Sequence, residues 1–316
     1  MMCLESWLAL GPRRKSVATS AATEAILQPA VLARLGSLEL IARAVVEGAF
    51  VGLHRSPKFG FSQEFAEYRA YNEGDDLRFV DWNVFARTDR AYIKRFKGDT
   101  NTRVTVLLDA SGSMNFGNPV SKWQLAQYLC ASLAYLIKNQ HDAFGLTVFN
   151  TQIVSELPPS SNPDLLQRVL SQLHAAKPEE GTDLVQSLQA LSQRITRRGL
   201  VILVSDLYAN SDELIQALQP LAHSGQELIV FHTLDREELE PNQARISALK
   251  DLETSDKVIV APEFLSGTYR TRINEHCEAI ESTCRRMGAE YVRVMTDEPL
   301  DSVLHSYLRR RETQPS

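Results

Sequence analysis

Three runs of the chain are almost continuously apolar: VTVLL at 104–108, broken by Thr105 alone, LVILV at 200–204 and LIVF at 228–231. A strand with one wet face alternates apolar and polar residues, so near-continuous runs of this length belong to strands buried on both faces. Between and after them lie segments whose apolar residues recur at helical spacing: SKWQLAQYLCASLAYLIKNQ (121–140), PDLLQRVLSQLHAA (163–176), DLVQSLQALSQRITR (183–197), DELIQALQPLAHSG (212–225) and YRTRINEHCEAIESTCRRMG (269–288). Gly225 and Gly288 stand where helices commonly stop. AFGLTVFN and TQIVSEL (143–157) read as a hairpin, residues 244–261 as a second hairpin turning at ETSD, and AEYVRVM (289–295) as a last strand. This alternation predicts an α/β fold: a doubly wound, mostly parallel, Rossmann-like sheet with helices on both faces.

The first hundred residues are different. Residues 1–27 mix a short apolar patch with basic and Ser/Ala-rich stretches, and are expected to be a disordered tail. Their charges follow the apolar patch, which is the wrong order for a signal peptide. From residue 28, QPAVLARLGSLELIARAVVEGAF has helical spacing and reads as one or two helices. Residues 52–97 mix aromatics with both signs of charge and carry Gly, Pro and Asn-Glu-Gly-Asp-Asp turn signals, so short strands and tight loops are expected there. The expected organisation is therefore a tail (1–27), an N-terminal helical and short-strand segment (28–99) and the α/β domain (100–312).

Composition bounds the function. A formal net charge of −5 argues against general nucleic-acid binding. No apolar run approaches the roughly 18–20 residues that span a bilayer, so no membrane span is expected. The four cysteines, Cys3, Cys130, Cys277 and Cys284, lack metal-ligand spacing. Cys277 and Cys284 on one helix would have Cα atoms about 10.5 Å apart, too far for a disulfide. Reduced, buried thiols fit the cytoplasm.

In an open α/β sheet, ligands sit beyond the carboxyl ends of the strands. Three groups should meet there: Asp109, Ser111 and Ser113 after the first buried strand; Thr182 in the GTD turn before a helix; and Asp206 after the strand VILVS. Each has a plain structural explanation, since Ser and Thr cap helices and Asp ends strands in turns. Together they offer only oxygen, two carboxylates and three hydroxyls, which suits a hard divalent cation. Mg2+ takes six oxygens and keeps some waters, so a position stays open for an acidic group on a partner. Mn2+ or Ca2+ would satisfy the same donors.

The D-x-S-x-S motif DASGS, Thr182 and Asp206, in this order, resemble the metal-ion-dependent adhesion site of von Willebrand factor type A domains. That resemblance covers roughly residues 100–300. It implies that the serines and the threonine lie next to the metal, with the aspartates acting directly or through water. The segment HRSPKFGFSQEFAEYRAYNEGDDLRFVDWNVFARTDRAYIKRF further resembles the family catalogued as domain of unknown function 58. Members of that family resemble accessory factors of MoxR-type AAA+ ATPases. The resemblance implies a Mg2+-dependent adaptor rather than an enzyme, with a MoxR-like AAA+ ATPase as partner and a third protein as client.

The enzyme alternative is a metal-dependent phosphoester hydrolase using Asp109 and Asp206. It needs a general base or phosphate clamp, and the sequence marks none. Ser111 sits in ASGS rather than G-x-S-x-G, and no histidine pairs with it by motif, against a serine hydrolase. Asp75, Asp76 and Asp81 could form a second metal site, but are expected instead to pair with Arg69, Arg78, Arg87 or Arg90 and cap turns. His54, Arg55 and Lys58 lack the glycine-rich loop of a phosphate site. His232 reads as a packed core histidine.

Overall fold

A computed structural model describes residues 27–53, 65–71, 80–81, 84–85, 87, 90–96, 103–179, 183–223, 225–240, 249–250, 257–258, 269–301, 303–304 and 308. The expectations for the tail, for Asp75, Asp76 and Arg78, for His54, Arg55 and Lys58, and for Thr182 and Cys3 lie outside these residues.

The three apolar runs become neighbouring central strands. β1 (Phe65–Ala70) and β2 (Tyr92–Phe96) form a small antiparallel pair by themselves. The main sheet comprises β3 (Arg103–Asp109), β4 (Ala143–Phe149), β5 (Ile153–Ser160), β6 (Leu200–Ser205), β7 (Glu227–Leu234) and β10 (Glu290–Met295), in the order β10-β7-β6-β3-β4-β5. β8 (Leu249–Lys250) and β9 (Lys257–Val258) pair antiparallel where the second hairpin is expected, and its ETSD turn lies outside the described residues. Every pairing in the main sheet is parallel except β4 with β5. Counted along the chain, the order is that of the doubly wound dinucleotide-binding sheet. The chain reverses its direction of winding between β3 and β6, and in such sheets ligands bind at the strands' carboxyl ends at that point.

Side chains along a strand alternate between faces, and both faces here are covered. Val104, Val106 and Leu108 of β3 join one apolar cluster with α1 (Leu38–Leu53), α2 (Lys122–Asn139) and α3 (Leu165–Ala175). Leu107 points the other way, into a cluster with α4 (Leu184–Arg194), α5 (Ser211–His223) and α6 (Arg270–Arg286). α1 buries Ile41, Ala42, Val45, Val46 and Ala49, a helical stripe within the same cluster as the sheet. α2 starts with a capping box: Ser121 accepts from the Gln124 N–H, and the Gln124 side chain accepts from the Ser121 N–H. Asp183 caps α4 by accepting from the Gln186 N–H at 2.9 Å, so the capping role considered for Thr182 belongs to its neighbour.

β5 runs three residues further than its apolar pattern indicates, through Leu157, Pro158 and Pro159 to Ser160. Prolines are tolerated because β5 is an edge strand. The register with β4 shifts between Phe144 and Leu146, and Pro159 presses on Gly145, where an added Cβ would lie 2.7 Å from the Pro159 nitrogen.

Asp81, 7 % exposed, accepts from the Val84 N–H at 3.2 Å and so caps a turn, as expected. Cys130, Cys277 and Cys284 are buried free thiols.

Candidate functional site

Register places the site. Leu108 of β3 is level with Val204 of β6, and Val204 with Phe231 of β7. The next residues, Asp109, Ser205 and His232, therefore form a polar row across three strands where the apolar runs end. The reversal point lies between the first two of these strands.

Asp109 is 1 % exposed. Its two oxygens are held separately: Oδ1 accepts from the Ser111 N–H at 2.9 Å, and Oδ2 from the Ser205 hydroxyl at 2.5 Å. Ser205 in turn accepts from the Leu207 N–H at 2.9 Å. Burial, reinforced by the nearby Asp206 carboxylate, pushes the Asp109 carboxyl up to about 7, and the hydrogen bonds from Ser205 and Ser111 limit the rise. The Ser111 and Ser113 hydroxyls lie 3.0 Å apart, both buried. Ser111 precedes the 3-10 turn Gly112–Asn115 but its side chain caps no N–H there, so helix capping does not account for it.

Asp206, also 1 % exposed, does not simply end a strand in a turn. Its Oδ2 accepts from the Lys122 ammonium at 2.6 Å, and its Oδ1 faces the Tyr208 N–H at 3.5 Å. Lys122 is fully buried and bonds a second carboxylate, Glu238 Oε1, also at 2.6 Å. Burial alone would push its ammonium down, but Asp206 and Glu238 together hold it above its ordinary value. Glu238 belongs to the short helical turn Arg236–Leu239 after β7, where its other oxygen accepts from the Asp235 N–H at 2.9 Å as half of a capping box.

The backbone of 206–208 is clamped. Leu207 has φ +54, a left-handed conformation that a branched side chain adopts only under constraint. His232 Nε2 lies 2.8 Å from the Asp206 carbonyl, and Nδ1 lies 2.8 Å from the Tyr291 hydroxyl. A carbonyl can only accept, so Nε2 carries the proton and Nδ1 accepts from Tyr291. Burial pushes the His232 imidazole down to about 3, which keeps it in this neutral form. His276 Nε2 donates to the Leu207 carbonyl at 3.0 Å, and its ring stacks on Tyr208. The Lys122 ammonium lies 4.8 Å over the Tyr208 ring.

The described residues thus bring together four of the five expected site residues: Asp109, Ser111, Ser113 and Asp206. On either side of the stretch that holds Thr182, the Glu179 N–H donates to the Ala110 carbonyl and Asp183 caps α4. The sequence reading missed Ser205, Lys122, Glu238 and His276, and took His232 as packing alone. Lys122 carried a signal. A cation at the first position of a helix opposes the helix dipole, and this one is followed directly by Trp123.

The donor set fits a hard cation. Two oxygens side by side on Mg2+ at 2.0–2.1 Å lie about 2.9 Å apart, close to the separation of the two serine hydroxyls. Among the described residues, no group of three or more His, Cys, Asp or Glu side chains could hold a metal. A site here would therefore rest on hydroxyls and water, with few charges.

By fold and site, this is a doubly wound α/β domain with a buried polar cluster, built on Asp109, Ser111, Ser113 and Asp206, at its reversal point. Residues 67–297 match the family described as protein of unknown function DUF58, and the chain belongs to that family. The uncharacterized protein Rv1480 of Mycobacterium tuberculosis is 25% identical over 278 residues, covering 85% of this chain and 86% of the relative. Among solved structures, BatB from Bacteroides thetaiotaomicron is similar with a TM-score of 0.45 and 18% identity, over 67% of this chain and 100% of the other. The SpRpn10 VWA domain is similar with a TM-score of 0.37 and 11% identity, over 65% of this chain and 95% of the other.

Proposed function

We propose that the chain is a protein-binding module whose contact is a divalent cation, Mg2+, at the carboxyl end of the sheet. Ser111, Ser113 and Thr182 ligate it, and Asp109 and Asp206 act directly or through water. The observation that carries the reading is the Ser111–Ser113 hydroxyl pair, 3.0 Å apart beside the buried, doubly hydrogen-bonded Asp109. Hydroxyls neutralise no charge, so a cation bound this way keeps affinity for an anionic ligand, such as a carboxylate of a partner protein. The family resemblance points to a MoxR-type AAA+ ATPase as that partner, acting on a client protein. The buried free thiols fit work in the cytoplasm.

The module acts by binding rather than catalysis. Phosphoester hydrolysis needs a free base or cation beside the metal. Lys122 is committed to two carboxylates, and His232 to Asp206 and Tyr291.

The test is a pull-down from native extract with the tagged protein in Mg2+ and in EDTA, with Asp109→Ala alongside. An AAA+ ATPase identified by mass spectrometry, retained only by the wild type in Mg2+, is the expected result. Equal retention in every lane would remove the metal site from the contact. Phosphatase activity lost with Asp109→Ala would favour the hydrolase instead.

A further inference from the structure

The Lys122–Asp206–Glu238 triad has more in it than neutralisation. Lys122 is the first residue of α2, where the helix dipole disfavours a cation, and it is completely buried. Its two carboxylates come from separate elements, Asp206 from the end of β6 and Glu238 from the turn after β7. Glu238 is pinned by the Asp235 N–H, and Asp235 by the Glu237 N–H and the Thr296 hydroxyl. The Tyr208 ring lies over the ammonium, so the cation is enclosed on that side also.

We infer that Lys122 is a tethered cation that competes for Asp206 with any metal ion in the site. The inference rests on the metal reading above and deepens it. The ammonium takes Oδ2 and leaves Oδ1, which faces the Tyr208 N–H at 3.5 Å, as the one oxygen of Asp206 for a metal. It also places a fixed positive charge next to the incoming one. Both effects weaken the hold of the protein on the metal. A metal held by few anionic oxygens accepts an anion from outside the more readily, so Lys122 tunes the site toward a ligand the chain does not itself supply.

Lys122 is a positioning residue, and the sign of its effect separates this role from simple support of the 206–208 backbone. A support lost would lower metal affinity. A competitor lost raises it. The probe is Mn2+, titrated calorimetrically and by the electron paramagnetic resonance of the free ion, with near-ultraviolet circular dichroism to confirm folding. Lys122→Met alone leaves two buried carboxylates unpaired and can fail to fold. The informative form is therefore the double variant Lys122→Met/Glu238→Gln, which removes one charge of each sign.

The double variant is expected to bind Mn2+ at least tenfold more tightly than the wild type. Glu238→Gln alone gives Lys122 wholly to Asp206 and should bind several-fold more weakly. Lys122→Arg should stay near the wild type. If only the double variant binds, Lys122 takes the metal's place outright, which also supports the inference. Equal or weaker binding by the folded double variant, with a wild type that binds, overturns the inference and leaves the metal reading standing. No binding by any form overturns the metal reading itself.

Discussion

The two ends of the main sheet are built on opposite plans. At the amino ends of the strands lies a cavity of about 230 Å³, lined among others by Arg103, Thr105, Thr147, Arg194 and Gln226. It exists because β3 and β4 present threonines to that face and α4, which covers the face, ends at Arg194. Its polar groups do not converge: the buried Oε1 of Gln226 has no hydrogen-bond partner among the described residues. At the carboxyl ends the polar groups interlock. Asp109, Ser205, Asp206, Lys122, Glu238 and His232 each bond at least one other member of the network. Hollow space is where covering side chains run out, whereas chemistry collects where strand direction brings unlike groups level. Here the two have separated, and the hydrogen bonds rather than the volume mark the end where binding is proposed.

That contrast can be attacked by substitution, and the largest effect is expected at Asp109. Burial pushes its carboxyl up to about 7, well above the roughly 3.9 of an unfolded chain. From about pH 4 to 7 the folded protein therefore keeps a proton that the unfolded chain has released, and metal-free stability falls as pH rises. Asp109→Asn removes this penalty. Its metal-free stability relative to wild type should grow as pH rises across that window, by on the order of a few kcal/mol. Urea unfolding in chelator at pH 5 and pH 8 measures it. A gap independent of pH would mean that this end of the sheet is no more tightly enclosed than the other.

Ser205→Ala comes next. It strips a donor from Asp109 and an acceptor from the Leu207 N–H, both buried. A loss of about 1–3 kcal/mol is expected in urea unfolding. A smaller loss would show that solvent reaches the row and can replace the hydroxyl. The smallest effect is expected at the cavity. Arg194 bonds Glu156 at 3.1 Å, with the two side chains 59% and 42% exposed. Arg194→Ala should cost less than about 1 kcal/mol and leave Mn2+ binding unchanged. Any change in Mn2+ affinity would join the two ends and break the comparison.

Local pattern made the architecture and part of the site legible in advance. Near-continuous apolar runs marked the buried strands, and the carboxylates that follow them, Asp109 and Asp206, marked where polar chemistry begins. Ser205 could have been read the same way, as a hydroxyl closing an otherwise apolar strand. Lys122 was harder. Its partners lie 84 and 116 residues away in sequence, and only the parallel register brings β6 and the turn after β7 to the start of α2. His232 is indeed packed in the core, but its tie to the Asp206 carbonyl depends on the left-handed turn at Leu207, which no residue type announces.

The proline pair in β5 bears on how this molecule lives among copies of itself. Successive residues of a strand turn their N–H groups to opposite sides, so adjacent prolines delete one donor from each. On the outer side, a visiting strand from another chain would meet a gap in the ladder at Pro158–Pro159, which guards against fibre-like growth by lateral addition. On the inner side, the missing bond is tolerated because Gly145 lets the ring approach so closely. Glycine and proline together work as a selvedge, the finished border that keeps a woven edge from taking up more thread.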